Sequence, residues 1–271
     1  MFTVATLNLL NDLSRWSLRG PLVVQQLRAL SPDLIALQEV ALPANNAQWI
    51  ADRLDGYSVH VTRKTGRSSQ HEALAVLSRL PVHEHAALSL IYQNRVAQYV
   101  VVEREGALLT FANAHLYVGV RNDVPRIEQV RRILAWLPRQ NPLVLCGDFN
   151  AMPDSATVHM MRQEFASAYA AVHGCEPDYT YPTPLETGSR LMGVASRLVM
   201  RVGGWLQNRA DVPFRATVDY VFVGPSVHVH DCHIAFDNPL SGRPRIYPSD
   251  HLGLVATLEH GRIDATNRAV E

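Results

Sequence analysis

Short β-type segments that follow one another along the chain limit what it can fold into. Nine such segments, all rich in β-branched or apolar residues, lie at 2–7, 33–40, 57–62, 73–78, 98–103, 107–116, 142–148, 217–223 and 252–259. Helical patterns fit best at about 20–30, 43–54, 124–138 and 155–165. Because several strands follow one another with no helix between them, the order favours two packed sheets, mixed or antiparallel, over a doubly wound parallel sheet.

Size and composition indicate one folded domain. The chain has 271 residues, of which 47% are hydrophobic, and this is enough for a sizeable core. It contains no internal repeat, low-complexity tract or Gly/Ser linker that would mark a domain boundary. We therefore expect a single α/β domain over about 1–259, followed by a loose tail at 260–271.

Polar side chains recur where the predicted strands begin or end. They are Asn8, Glu39, His115, Asp148, Asn150, Asp219, Asp250 and His251. Taken singly, each is more often structural, as part of a turn, a cap or a partly buried histidine. Together they supply carboxylates for a hard divalent cation, groups that hold a water molecule, and histidines that meet developing negative charge. This set is typical of metal-assisted phosphoester hydrolysis.

The segment CGDFN at 146–150 leaves two interpretations open. Asp148 and Asn150 are separated by one residue, so in an extended segment both side chains leave on the same face. They would then project from the carboxyl end of a strand, where α/β proteins usually place their chemistry. The alternative is a plain strand-to-turn junction, because Gly, Asp and Asn are common turn formers.

Charge and cysteine content narrow the setting. Lys+Arg and Asp+Glu both number 25, so no global positive field attracts nucleic acid or an acidic membrane, although a local basic patch is compatible with this balance. The three cysteines form no CxxC pair, which argues against a disulfide framework or a cysteine zinc site. The first residues are typical of a strand rather than a signal peptide, and no apolar run approaches the roughly 20 residues of a membrane span. We therefore expect a cytoplasmic protein with reduced thiols and no transmembrane segment.

Seven motifs occur in an order that resembles the endonuclease/exonuclease/phosphatase superfamily. Between about residues 3 and 258 they are TLNLL, LQEV, EALAVLSRLP, NAHL, GDFN, VDYVF and SDHLG. GDFN followed far downstream by SDH is the most specific pair. The resemblance implies a four-layered α/β sandwich, in which helices flank two packed sheets. It also implies hydrolysis of a phosphodiester or phosphomonoester with Mg²⁺ or Mn²⁺.

The resemblance implies a role for each matching residue around the metal and the water. Glu39 matches the principal metal ligand, and Asn8 and Asp250 match direct or water-mediated ligands. Asp148 and Asn150 match the pair that orients and activates the attacking water.

Two histidines match groups that face the phosphate. His251 matches the histidine at the scissile phosphate, and Asp219 matches the acid that hydrogen-bonds it. His115 matches the second histidine, and Glu72 its carboxylate partner. A carboxylate fixes the tautomer of a histidine and raises its pKa, so both pairs predict an imidazolium. His71, adjacent to Glu72, remains an unassigned competitor.

Three further residues are candidates for binding substrate. Arg95 and Arg126 could reach phosphate, although arginines on loops and helices are usually just solvated. The third, Trp205, belongs to an insertion at about 186–214. There, steps of three and four residues place an apolar stripe on one side of a helix, flanked by arginines, with the members Leu191, Val194, Leu198, Val202 and Trp205. Such a helix can rest on a membrane surface, cover a lipid substrate or pack on the domain.

Net neutrality and this insertion shape the substrate prediction. We expect a metal-dependent phosphoesterase that acts on a small-molecule or lipid phosphoester, with 186–214 as the region of any peripheral membrane contact. A DNA endonuclease or exonuclease, with nucleic acid as its partner, is the alternative. A catalytically silent binding module is a third class. It would be expected to lack some of the metal, water and phosphate residues, yet Glu39, Asp148, Asn150, Asp250 and His251 are all present.

Replacing Leu198 and Trp205 with Ser tests whether the insertion selects substrate. If the stripe contacts a lipid tail, each large side chain contributes about 1.5–3 kcal/mol of apolar burial. Hydrolysis of lipidic substrates should then fall, while the Tm and the hydrolysis of a bis-aryl phosphodiester are preserved. A large fall in Tm with parallel loss on every substrate would instead identify the stripe as part of the core.

Overall fold

The computed structural model describes residues 1–119, 123–185, 214–243 and 245–260. The predicted stripe with Trp205 lies outside the described residues, as do positions 261–271 of the predicted tail. The helices are α1 (Trp16–Leu30), α2 (Asn46–Ala51), α3 (Val124–Trp136), α4 (Ala156–Met161) and α5 (Ala168–His173). The strands are β1 (Phe2–Asn8), β2 (Leu34–Ala41), β3 (Ser58–Arg63), β4 (Glu72–Ser78), β5 (Val82–Ser89), β6 (Val96–Arg104), β7 (Ala107–His115), β8 (Leu143–Asp148), β9 (Ala166–Ser167), β10 (Asp219–Val223), β11 (Val227–Ala235) and β12 (Gly253–His260).

The strands form two six-stranded sheets. The first sheet has the order β11-β12-β1-β2-β4-β3, and the second has the order β5-β6-β7-β8-β10-β9. In the first sheet β1 and β2 are parallel, and in the second β7 and β8 are parallel, while the other neighbours are antiparallel. Both sheets are therefore mixed, which confirms the predicted class.

Alternation along the strands builds the layers, because successive side chains of a strand point to opposite faces. In β1, Val4 packs between the two sheets, whereas Ala5 packs in the cluster that includes α1 and α2. In β8, Val144 packs between the sheets, whereas Leu145 packs in the cluster that includes α3 and α4. The order helices, sheet, sheet, helices is the predicted four-layered sandwich.

The helices differ from their predicted bounds at the ends. α1 begins at Trp16, not near residue 20, and Pro21 lies inside it. The predicted start at about residue 20 was therefore about one turn too late. α2 and α4 have six residues each and are shorter than predicted. α3 agrees closely, and its apolar residues Val130 and Ile133 are fully buried.

Two long strands, β5 and β11, were missed by the sequence prediction. Each lies at the edge of its sheet. Their sequences, VHEHAALS and VHVHDCHIA, carry histidines and acidic residues, and many of their side chains are exposed. An edge strand is half-solvated and need not be apolar, so the hydrophobic signal that identifies central strands is weak here.

Gly147 of β8 lies against the backbone of Ala114 in β7, and its replacement tests this packing. It has φ +146°, and a Cβ atom added there would lie 1.9 Å from the carbonyl oxygen of Ala114. We expect Gly147→Ala to lower the free energy of unfolding by about 3 kcal/mol or more, since overpacking and backbone strain act together. Urea unfolding measures this loss. Gly56→Ala is the control, because Gly56 has φ +81° with open space around it. Equal losses in the two variants would mean that strain alone, and not the close approach, constrains Gly147.

Candidate active site

The alternation that builds the inter-sheet core also brings polar side chains to one end of it. The polar residues in phase with inter-sheet core residues of their own strands are Asn8 (with Val4), Glu72 (with Val76), His115 (with Phe111), Asp148 (with Val144) and Asp219 (with Val221). The amide nitrogen Nδ2 of Asn8 lies 3.0 Å from Oδ2 of Asp148, so the two sheets are joined at this end. The strand-end residues predicted from the sequence are thus gathered at one place.

Glu39 reaches the same place through an irregularity in β2. Pairing with β4 runs Leu37 to Ala75 and then Val40 to Ala73, so β2 contains one extra residue. Glu39 sits in this bulge with φ 55°, a conformation that is uncommon outside glycine. Its Oε2 accepts a hydrogen bond from the Asn11 amide at 2.9 Å, and its Oε1 lies 3.3 Å from Asn8 Nδ2. The bulge therefore aims a carboxylate that regular alternation would have pointed away.

His251 and its carboxylates form a buried line. Its Nδ1 lies 2.9 Å from Asp219 Oδ2, and its Nε2 lies 4.0 Å from Asp148 Oδ2. Burial lowers the pKa of His251, but the charge and hydrogen bond of Asp219, with the charges of Asp148 and Asp250, outweigh it and raise the pKa well above its ordinary value. His251 is thus an imidazolium, as predicted.

His115 differs from the prediction. Its Nδ1 faces Arg95 Nη1 at 2.6 Å, whereas Glu72 Oε1 lies 3.8 Å away. Glu72 is held between Arg95 and Lys64, whose Nζ lies 2.5 Å from Glu72 Oε1. Burial lowers the pKa of His115 well below its ordinary value, and the charges of Arg95, Lys64 and His251 lower it further. The predicted imidazolium is therefore wrong at His115. Since Arg95 Nη1 is a donor, His115 Nδ1 accepts and its Nε2 carries the proton, toward Asp148 Oδ2 at 3.4 Å.

The carboxylates of the site differ in proton affinity. Burial acts to raise the pKa of Glu39, but the Asn11 amide and the charge of Arg95 outweigh it, so the pKa lies below its usual value. Burial and the charge of Asp219 raise the pKa of Asp148 to about 7. Burial likewise raises the pKa of Asp250, although His251 opposes this. A carboxyl group with a pKa near neutrality suits a general base.

These residues open into one cleft of about 560 Å³. Its lining includes both predicted arginines, Arg95 and Arg126, together with Asn150. Arg126 is buried and its Nε donates to Asp123 Oδ1 at 2.8 Å, so it is held in the wall rather than solvated. The apolar part of the wall consists of Val118, Met152, Tyr181, Phe214 and Val218. All the predicted site residues within the described ranges except Asn8, Glu72 and Asp219 line this cleft directly.

Some residues of the site were missed by the sequence prediction. Lys64 follows the end of β3, so the rule that flagged polar residues at strand ends would have found it. Tyr181 packs its ring 4.7 Å from the ring of His251, and only the fold brings these two together. His71, the unassigned neighbour of Glu72, is exposed and does not line the cleft.

The donor set of the site fits a hard divalent cation. Glu39 and Asp250 offer carboxylate oxygens at the cleft wall, and oxygen donors are the ligands that Mg²⁺ and Mn²⁺ prefer. Asn8 presents its amide nitrogen to Glu39 and Asp148, while its Oδ1 accepts from the Leu10 amide at 2.9 Å. A further group, Glu39, Glu72 and His115, has ligand atoms within 4.8 Å of one another. The residues present thus match the predicted chemistry.

Comparison with known proteins identifies the family. A model of the endonuclease/exonuclease/phosphatase family matches residues 5–251, and the chain belongs to this family. Members are metal-dependent hydrolases that act on phosphoester bonds, which confirms the predicted enzyme class. Human protein angel homolog 2 is 25% identical over 171 residues, which cover 55% of this chain and 31% of that protein. For Drosophila melanogaster protein angel the identity is 24% over 168 residues, covering 54% and 47%. The chain therefore spans less than half the length of these curated relatives.

Solved structures share the fold. D. rerio TDP2, complexed with single strand DNA product, aligns with a TM-score of 0.75 at 17% identity, covering 95% of this chain and 98% of that one. The human Nocturnin catalytic domain with bound sulfate anion aligns with a TM-score of 0.73 at 22% identity, covering 96% and 93%. Within the described residues, no helix combines the length and apolar character that a membrane crossing requires.

The His251–Asp219 pair generates a test by titration. We expect Asp219→Asn to lower the pKa of His251, measured by NMR of the ring in metal-free protein. Since the folded pKa lies above 6.5, the pair stabilises the fold fully below that pH and loses its effect as pH rises through the folded pKa. The stability difference between wild type and variant should therefore shrink at alkaline pH.

Asp231→Asn is the matched control for this titration. Asp231 forms a similar pair with His233 at 2.8 Å, but on the exposed surface. The control should leave the His251 titration unchanged. An unaltered His251 pKa in Asp219→Asn would mean that Asp219 does not hold the imidazolium.

Proposed function

We propose that the protein hydrolyses a compact phosphoester with the help of a divalent cation bound at Glu39 and Asp250. The observation that carries this proposal is the meeting of those carboxylates with the Asp148, His251 and Asp219 line in one cleft. Asn8 supports the ligand carboxylates through its amide. When bound, Mg²⁺ or Mn²⁺ would polarise a phosphoryl oxygen and neutralise its charge.

The residues of the chain would divide the remaining chemistry. Asp148 takes the proton of the attacking water, since its pKa of about 7 lets it act as a base near neutral pH. Asn150 stands beside it, with its backbone N–H donating to Asp148 Oδ1 at 2.8 Å, and its side chain helps to orient the water. His251 supplies positive charge to the phosphate, and Asp219 holds its ring. His115 contributes a neutral Nε2–H donor, and Arg95 fixes its tautomer.

The cleft supports a small substrate. Its volume of about 560 Å³ falls in the range of small-molecule pockets, which is roughly 300–1,000 Å³. Arg126 would face an anionic group, while Met152, Tyr181 and Phe214 would contact an apolar or aromatic one. The lipid part of the prediction depends on 186–214, of which only Phe214 is described. Nucleic acid is the second candidate, because Tyr181 and Phe214 could stack on bases.

A substrate panel separates these candidates. It contains a bis-aryl phosphodiester, sphingomyelin, phosphoinositides, plasmid DNA and an abasic oligonucleotide, each with Mg²⁺ and with Mn²⁺. We expect turnover of the bis-aryl compound and of a small or lipid phosphoester. Selective turnover of DNA would replace the small-substrate proposal with the nuclease, and no turnover of any member would favour the binding module.

Glu39→Gln tests the metal site directly. The amide keeps the shape of the side chain but removes the anionic oxygen that a hard cation requires. We expect a loss of at least about a hundredfold in kcat, comparable to removal of one electrostatic stabiliser elsewhere, with the Tm in chelator unchanged. Glu103→Gln, on the far end of β6, is the control and should retain activity. Full activity of Glu39→Gln, or of wild type in chelator, would overturn the assignment.

A further inference from the structure

Arg19 is a buried charge to which the proposed reaction gives no role. It lies in α1 and is 1% exposed. Its guanidinium donates four hydrogen bonds to backbone carbonyls. These run from Nη1 to Leu9 O at 2.7 Å and Pro248 O at 2.9 Å, and from Nη2 to Leu10 O at 3.2 Å and Asp12 O at 2.5 Å. Burying a charged guanidinium costs free energy unless its donors are satisfied. Arg19 satisfies four of its donors with backbone carbonyls of two loops, which indicates a role beyond filling space in the core.

The first loop links Arg19 to the ligands through two consecutive peptide groups. In the peptide between Leu9 and Leu10, the carbonyl accepts from Arg19 and the N–H donates to Asn8 Oδ1 at 2.9 Å. In the peptide between Leu10 and Asn11, the carbonyl accepts from Arg19 and the N–H donates to Glu39 Oε2 at 2.9 Å. A cation at the carbonyl side polarises each peptide and strengthens the donor on its other side. Leu10 itself has φ 56°, so this orientation is not the relaxed one.

The second loop connects Arg19 to Asp250. The carbonyl of Pro248 accepts from Nη1, and Pro248 is two residues before Asp250. Between them, Ser249 Oγ lies 3.2 Å from Asp250 Oδ1 and also accepts from the His251 amide at 3.2 Å. One guanidinium therefore contacts both the loop after β1 and the turn before β12, which are far apart in sequence. The loop donates hydrogen bonds to Asn8 and Glu39, and the turn carries Asp250, the third predicted metal ligand.

We propose that Arg19 is a positioning residue for divalent-cation binding, which acts by orienting the peptides that hold Asn8 and Glu39 and by fixing the turn that carries Asp250. The inference rests on the proposed metal site but concerns a residue outside it. In this role Arg19 touches neither substrate nor cation. Its contribution is to keep the ligand carboxylates together, against their repulsion, before the cation arrives.

The test compares Arg19→Met and Arg19→Lys with Arg28→Met. Arg28 is also in α1 and also donates to a backbone carbonyl, that of Arg53 at 2.6 Å, but it is exposed. Mn²⁺ binding is measured by EPR or calorimetry, and the Tm is measured in chelator. We expect Arg19→Met to raise the Mn²⁺ dissociation constant about ten- to a hundredfold, as removal of outer-shell partners does elsewhere. Arg19→Lys keeps the charge, but one ammonium group cannot reach four carbonyls, so it should raise the constant by a smaller factor.

The outcomes separate this inference from the proposed function. If wild type and Arg28→Met bind no Mn²⁺, the metal site itself is wrong. If they bind Mn²⁺ and the Arg19 variants bind it equally well, the inference is overturned, even when the Tm of the variants in chelator falls. If Arg19→Met does not fold, Arg19→Lys decides between a weakened and an unchanged dissociation constant.

Discussion

Mutual repulsion among buried carboxylates is the constraint around which the site is built. Burial raises the pKa of both Asp148 and Asp250, and the negative charges of Asp219 and Glu39, respectively, raise these pKa values further. The surrounding structure offsets this repulsion with the His251 imidazolium, with Arg95 beside Glu39, and with directed backbone amides. A bound cation would relieve the same repulsion.

The sequence predicts much of this arrangement because the ends of strands can be identified where a polar residue follows an apolar segment. Asn8, His115 and Asp148 each close an apolar, alternating segment, and strand ends of packed sheets meet. The orientation of Glu39 could not be predicted, since it depends on a bulge that leaves no trace in the alternation. The neutral state of His115 could not be predicted either. It depends on Arg95, whose distance from His115 along the chain says nothing about contact. Tertiary proximity, not residue type, decides both.

Selectivity for one substrate over another depends on the residues that line the cleft rather than on the groups proposed to carry out the reaction. Shared folds do not fix function. The proposed catalytic residues lie at or next to strand ends, whereas Val118, Met152 and Phe214 belong to connecting segments. Connecting segments vary more in sequence than the strands that they join, so differences in substrate selectivity between phosphoesterases are expected to arise there.

The site belongs to neither sheet alone. The first sheet carries Asn8 and Glu39, and the second carries His115 and Asp148. Below them, Asn113 Nδ2 of the second sheet donates to the carbonyls of Leu37 and Ala75 in the first, at 2.9 and 3.0 Å. These hydrogen bonds fix the position of one sheet relative to the other. If one sheet slips along the other, the distances from Asn8 and Glu39 to His115 and Asp148 change with it. With the proposed division of roles, a substitution deep in the inter-sheet core will therefore lower the rate of turnover before it measurably unfolds the protein.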